Sequence, residues 1–247
     1  MAEWIGIGRR VRLLVLIIGL SCVGAEAREA DDDLHVLKGV ITQVYGTFPK
    51  TAEHEAADRQ FIEDVLSTGT SREAGREYAL GEAWRLYGDG DEQSALKRFN
   101  QAWLLTPNHP EAFHGFAVYM LEKGNVDEAI TLSKKALALD PRHARAMCTL
   151  ARAYGAKAYA RTLDDAACAQ YRVHANELFE QASQSTTLDE DLTYIYYHWA
   201  KWRAREGDMT DSADKIALYR KHGGGALVGE WLIRALARPG KRGVAAQ

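Results

Sequence analysis

Proline is scarce in this chain, five residues in 247, so long stretches can run as uninterrupted helix. Cysteine is scarcer, at three residues. There is no excess of basic charge: the net charge is −3 and the pI near 6.3, which removes the electrostatic footprint of a nucleic-acid binder. No His-Glu-x-x-His, no phosphate-cradling glycine loop and no Cys-x-x-Cys occurs, so the short motifs that announce metalloprotease, nucleotide or redox chemistry are missing. The apolar run from Leu13 to Leu20 is too short to cross a bilayer comfortably, since a spanning helix needs about 20 apolar residues. What is present is an ordinary globular balance, 47% hydrophobic and 26% charged, sufficient for a sizeable core in one large domain or two small ones. Alanine, leucine, glutamate and arginine, all good helix formers, dominate the middle of the chain.

The N-terminus reads as an export signal. Arg9, Arg10 and Arg12 precede the apolar run, and small residues lead to Ala25-Glu26-Ala27. That is the order of n-region, h-region and cleavage site in a secretory signal peptide, residues 1–27. Retention as an anchor is a second route. Lipidation at Cys22 is a third, although Gly19 stands where a lipobox has leucine. The expected location is across the inner membrane, either periplasmic or tethered and facing the periplasm. Cleavage would leave Cys148 and Cys168. With a turn near Leu163, these two fall at levels about 15 Å apart along antiparallel helices, whereas a disulfide needs Cα atoms within about 7 Å.

The middle of the chain repeats. Aligning residues 76–109 with 110–143 places Glu77 on Glu111, Ala83 on Ala117, Gly90 on Gly124, Ala95 on Ala129, Ala102 on Ala136, Pro107 on Pro141 and His109 on His143. The offset of 34 residues is the length of a helix–turn–helix repeat. Large-then-small pairs, Phe116-Ala117 and Leu150-Ala151, open the first helices, and Ala95, Phe99, Ala102 and Pro107 mark a second helix and its exit. These residues resemble the tetratricopeptide repeat (TPR) pattern. Small side chains let two helices approach within about 8–10 Å, and the large one fills the gap beside them. The turns Gly90-Asp91, Gly124-Asn125 and Gly207-Asp208 combine a left-handed helix stop with an N-cap.

The third repeat, 144–184, runs late. Ala175, Phe179 and Ala182 restore the spacing about twelve residues beyond schedule, which places an insertion around residues 155–170. A weaker fourth unit, 193–222, has Trp199, Ala200, Ser212 and Ile216 in register, but Tyr219 in a small-residue slot. Thr187 with Glu190, and Thr70 with Glu73, read as capping boxes. A helical segment at 28–70, including an amphipathic stretch from Thr51 to Leu66, precedes the array at 71–222. A terminal helix at 226–238 caps it. The expected fold is all-α: a right-handed TPR-like α-α superhelix, a solenoid with extra helices at both ends.

The TPR resemblance also implies where a partner sits, at positions two, five, nine and twelve of each first helix. Carried over, the candidate groove residues are Trp84, Tyr87, His114, Val118, Arg145, Arg152, Tyr194, Tyr197 and Lys201, a mix of aromatics and arginine of the kind enriched at interfaces. TPR domains that clamp a C-terminal carboxylate have lysine at position five and asparagine at position nine; Leu80 with Trp84, and His114 with Val118, do not match them. His109 and His143 read as polar loop residues after the exit prolines, and no metal, cofactor or catalytic residue is assigned. The stretch from Arg98 to Leu105, with Pro107 and Gly115-Phe116, resembles TPR proteins and lipoproteins of unassigned role in Gram-negative bacteria. The expectation is a non-enzymatic adaptor or scaffold holding a protein or peptide of the cell envelope. The alternative is a structural, self-associating subunit whose groove is filled by itself or by another copy.

Overall fold

The computed structural model describes residues 51–160 and 163–225; the expected signal segment 1–27, Cys22 and the terminal helix expected at 226–238 lie outside these. Two compact units divide the chain, 1–55 and 56–247, and every helix pair belongs to the second. Nine helices form among the described residues: α1 (Ala52–Ser67), α2 (Arg72–Gly88), α3 (Glu92–Leu105), α4 (Pro110–Glu122), α5 (Val126–Leu139), α6 (Ala144–Lys157), α7 (Asp165–Gln184), α8 (Asp189–Arg205) and α9 (Met209–Lys221). None is long and apolar enough to cross a membrane.

From α2 onward the helices pair as α2–α3, α4–α5, α6–α7 and α8–α9, each first helix lying against its own second helix. Successive first helices also touch, α2 with α4, α4 with α6 and α6 with α8, so the pairs stack as a TPR-like solenoid. The alanines of the repeat sit at these contacts: Ala83, Ala117, Ala151 and Ala200 on the first helices, and Ala95, Ala129 and Ala175 on the second, are all buried. Phe99 and Phe179 occupy the large slots and are buried too. At the α3–α4 crossing, packing is so close that a Cβ on Gly115 would collide with the Phe99 ring.

The turns follow from their residues. Gly90, Gly124 and Gly207 adopt φ between +80° and +86°, a region that costs an L side chain but not glycine. Asp91 and Asp208 then cap the next helix through the amides of Ser94 and Asp211. Asn125 makes no such bond. Asp164 caps α7 through Ala167 N.

Two caps differ from expectation. Ser71, not Thr70, caps α2 through Ala74 N, while the Thr70 hydroxyl pairs with that of Thr68 at 2.9 Å. At α8 the Thr187–Glu190 box does not form; Thr186 accepts from Leu188 N at 3.1 Å and donates to Asp191 at 3.0 Å. The late third repeat resolves into a longer loop after α6 and a second helix that begins at Asp165, nearly three turns before Ala175. Cys148 and Cys168 are buried and unpaired, and burial pushes the Cys148 thiol up to about 12. The fourth pair closes through Ser212 Oγ donating to Ala200 O (2.9 Å) and Thr193 Oγ1 to His222 O (2.7 Å). Its large Tyr219 lies over Gly224, where any side chain would collide with the ring.

Candidate partner-binding face

The first helices α2, α4, α6 and α8 lie side by side, and their polar residues meet across the seams. Glu111, near the start of α4, accepts from Trp84 Nε1 of α2 at 2.7 Å and from His143 Nε2, at the cap of α6, at 2.6 Å. Its Oε1 lies 3.3 Å from His114 Nδ1, and His114 Nε2 lies 3.2 Å from Thr149 Oγ1. Thr149 meets the Tyr194 hydroxyl of α8 at 3.3 Å, and Arg152 Nη1 donates to that hydroxyl at 2.9 Å. Arg152 also pairs with Glu122.

One sense of donation satisfies the whole chain: Arg152 to Tyr194, Tyr194 to Thr149, Thr149 to His114, His114 to Glu111. It requires a neutral His114 and an ionised Glu111. Burial holds the His114 ring below its ordinary pKa. Burial alone would raise Glu111, but its His114 and His143 partners outweigh that and hold it well below the usual carboxylate range. For His143, burial opposes the charged form; the hydrogen bond and charge of Glu111 win and raise it. A cation at one end and an anion at the other polarise every link between them.

This arrangement places the nine candidate residues unequally. Trp84, His114, Arg152 and Tyr194 are brought together, as links of one internal chain. Arg145 is tied to Asp191 at 2.5 Å and to Glu190 at 3.5 Å. His114 and Val118 are corrected: both are buried and face no partner, because α4 is walled by α2, α3, α5 and α6 and is buried without interruption from Ala112 to Met120. Tyr87, Tyr197 and Lys201 keep accessible surface, with the Lys201 ammonium 5.2 Å from the Tyr197 ring centre. His143 is no mere loop residue; it caps α6 through Ala146 N and binds Glu111.

Glu111, His114 and His143 offer ligand atoms within 4.8 Å of one another, a grouping able to approach a metal ion. The hydrogen bonds weigh against that use. His143 Nδ1 accepts from Ala146 N at 3.3 Å, so the ring proton sits on Nε2, the atom a metal would take. A ligating histidine keeps its proton on the other nitrogen. Beside this cluster opens a polar cavity of about 340 Å³ lined by Asp140, Arg145, Thr186 and Asp191.

No protein-family model and no curated protein matches this chain. Among solved structures it is similar to TTC0263, a thermophilic TPR protein of Thermus thermophilus, at 20% identity and a TM-score of 0.47, over 65% of this chain and 98% of that one. It is also similar to MamA 41-end of Desulfovibrio magneticus RS-1, at 19% identity and a TM-score of 0.40, over 70% and 97% of the two chains. Likeness at this level says nothing of the site. The helix-pair architecture stands on the chain's own period and on its buried alanines.

Glu111 stands at position two of its repeat, one of the TPR groove positions, but its three hydrogen-bond partners are not legible there; Thr149, His198 and Arg205 lie at none of those positions. The signal for Thr149 is faint but present: a polar side chain inside the otherwise apolar stretch Met147–Ala151 of a first helix.

Proposed function

We propose that this protein is a non-enzymatic scaffold of the bacterial envelope, exported by residues 1–27, which holds a segment of a partner protein along its first-helix face. The observation that carries this reading is the division of labour on that face. A buried polar chain locks α2, α4, α6 and α8 into a fixed register, while Tyr87, Tyr197 and Lys201 remain accessible on the same side. Tyrosines held on rigid helices present contact area at little entropic cost.

The test is co-purification of envelope partners with full-length protein and with the double variant Tyr87→Ala/Tyr197→Ala. Loss of a specific partner at unchanged helical circular dichroism supports the reading. Retention of every partner contradicts it.

A further inference from the structure

A second cavity, of about 230 Å³, opens between α4, α6 and α8. Leu121, Gly155 and Trp202 form its apolar floor, and Arg152, His198, Lys201 and Arg205 its rim. The floor is set in place before any ligand arrives. Trp202 Nε1 donates to Asn176 Oδ1 at 2.8 Å, and the indole lies so close to α6 that a Cβ on Gly155 would stand 2.9 Å from it.

The rim carries three cations and no carboxylate. Of these, Arg152 is already matched by Glu122, as elsewhere on these helices Arg145 is by Asp191 and Arg203 by Asp208 and Asp211. Lys201 and Arg205 have no carboxylate partner among the described residues. Each instead lies over a tyrosine ring, Lys201 at 5.2 Å from Tyr197 and Arg205 at 3.9 Å from Tyr159. Stacking of this kind orients a cation and leaves its N–H groups unshared. His198 has tyrosines on both sides, Tyr194 at 4.5 Å and Tyr197 at 5.0 Å between ring centres.

We propose that this cavity receives the side-chain carboxylate of an acidic residue on the bound partner, held between Lys201 and Arg205, with the aliphatic stem of that residue on Leu121 and Trp202. The proposal rests on the scaffold reading above and names the chemistry of its partner. The positive rim selects an anion, and the apolar floor selects one that carries methylene groups over a bare inorganic ion. Two oriented cations also match the two oxygens of a carboxylate.

The experiment is fluorescence anisotropy on the full-length protein with the rhodamine-labelled peptide Ala-Leu-Glu-Leu-Ala and its glutamine counterpart Ala-Leu-Gln-Leu-Ala. The glutamate probe is expected to bind about tenfold more tightly, the scale of one charge-assisted contact. Lys201→Gln/Arg205→Gln erases that preference, and Lys201→Arg retains it. Both side chains are exposed, so neither change threatens the fold.

Equal binding of the two probes, no saturable binding of either, or a preference that survives the double substitution overturns the proposal. So does inorganic phosphate competing as well as unlabelled glutamate peptide, which marks a general anion site. Failure here with partner capture still dependent on Tyr87 and Tyr197 removes the acidic pocket alone; loss of that dependence removes the scaffold reading itself.

Discussion

The two sides of each helix pair are joined by different physics. Where first and second helices cross, contact is apolar and close: Ala95, Phe99 and Ala102 in one pair, Ala175, Phe179 and Ala182 in another, all buried. Where first helix meets first helix, Gly155 of α6 packs on Trp202 of α8, but the contact that runs through every pair is a chain of hydrogen bonds from Trp84 through Glu111, His114 and Thr149 to Tyr194. The apolar crossings supply stability in proportion to area and tolerate little change of volume. The polar seam contributes less net energy but is directional, since each donor needs its acceptor. Crossings therefore fix how tightly the pairs pack, and the seam fixes their register.

The sharpest break of that contrast is at an apolar crossing. Phe179→Ala is expected to cost about 4 kcal/mol in denaturant unfolding, the transfer loss plus a cavity that its neighbours cannot close. Next comes Ala129→Leu. Ala129 is fully buried, so the added methylenes force the α4 and α5 backbones apart, at up to about 3 kcal/mol. A neutral midpoint for either variant would show that the contacts are not where the repeat register puts them.

On the polar seam, Glu111→Gln is expected to cost about 2 kcal/mol near neutral pH, because it reverses one acceptor and removes the anion that three donors face. The Glu111 pKa is lowered in the fold, so its contribution is present above the ordinary carboxylate value and lost as pH falls through the folded value. The variant should show a flatter stability profile in that acid range. An unchanged acid profile would mean that the seam does not depend on the charge.

Histidine supplies a second pH window. Burial, aided by Arg152 and Lys201, holds His198 well below its ordinary pKa. The unfolded chain therefore takes up a proton below about pH 6.5 that the folded chain refuses. Stability should fall between about pH 6.5 and 5, by at most about 1.4 kcal/mol per pH unit for this ring, and His198→Gln should flatten that slope. His143 does not oppose the effect there. Its pKa is raised, so its contribution is complete below the unfolded value and is lost only as pH rises above it. Parallel slopes for the wild type and the variant would show that His198 does not govern the window.

The smallest expected effect is a gain. Ser133 occupies a large-residue slot, is fully buried, and its hydroxyl has no hydrogen-bond partner. Ser133→Ala removes an unsatisfied group and should stabilise by about 1 kcal/mol. A loss of stability would indicate a partner for that hydroxyl.

The contrast also explains what was legible in the sequence. Crossings repeat, so the alanines 34 residues apart and the Gly-Asp turns disclose the helix pairs directly. The α2 cap falls one residue later than expected, on Ser71 in place of Thr70, and α8 has Leu188 at its cap position with no side-chain cap at all, because hydrophobic periodicity does not fix which residue leaves helical geometry first. The polar seam was the least legible part. Its partners stand apart in sequence, Trp84 from Glu111 and Thr149 from Tyr194, at spacings that match no single period, and only the stacking of pairs brings them together. His114 and Val118 were read as groove residues because the TPR pattern puts their positions there, but a central first helix covered by four neighbours has no open side at those points.

The most direct measurement is photo-crosslinking in living cells, with a photoreactive phenylalanine placed at Tyr197 on the first-helix face or at Lys134, an exposed residue of the second helix α5. If first helices grip and second helices only support, Tyr197 should give a discrete adduct with a partner protein and Lys134 none. Adducts of equal yield from both positions, or from Lys134 alone, would contradict that assignment.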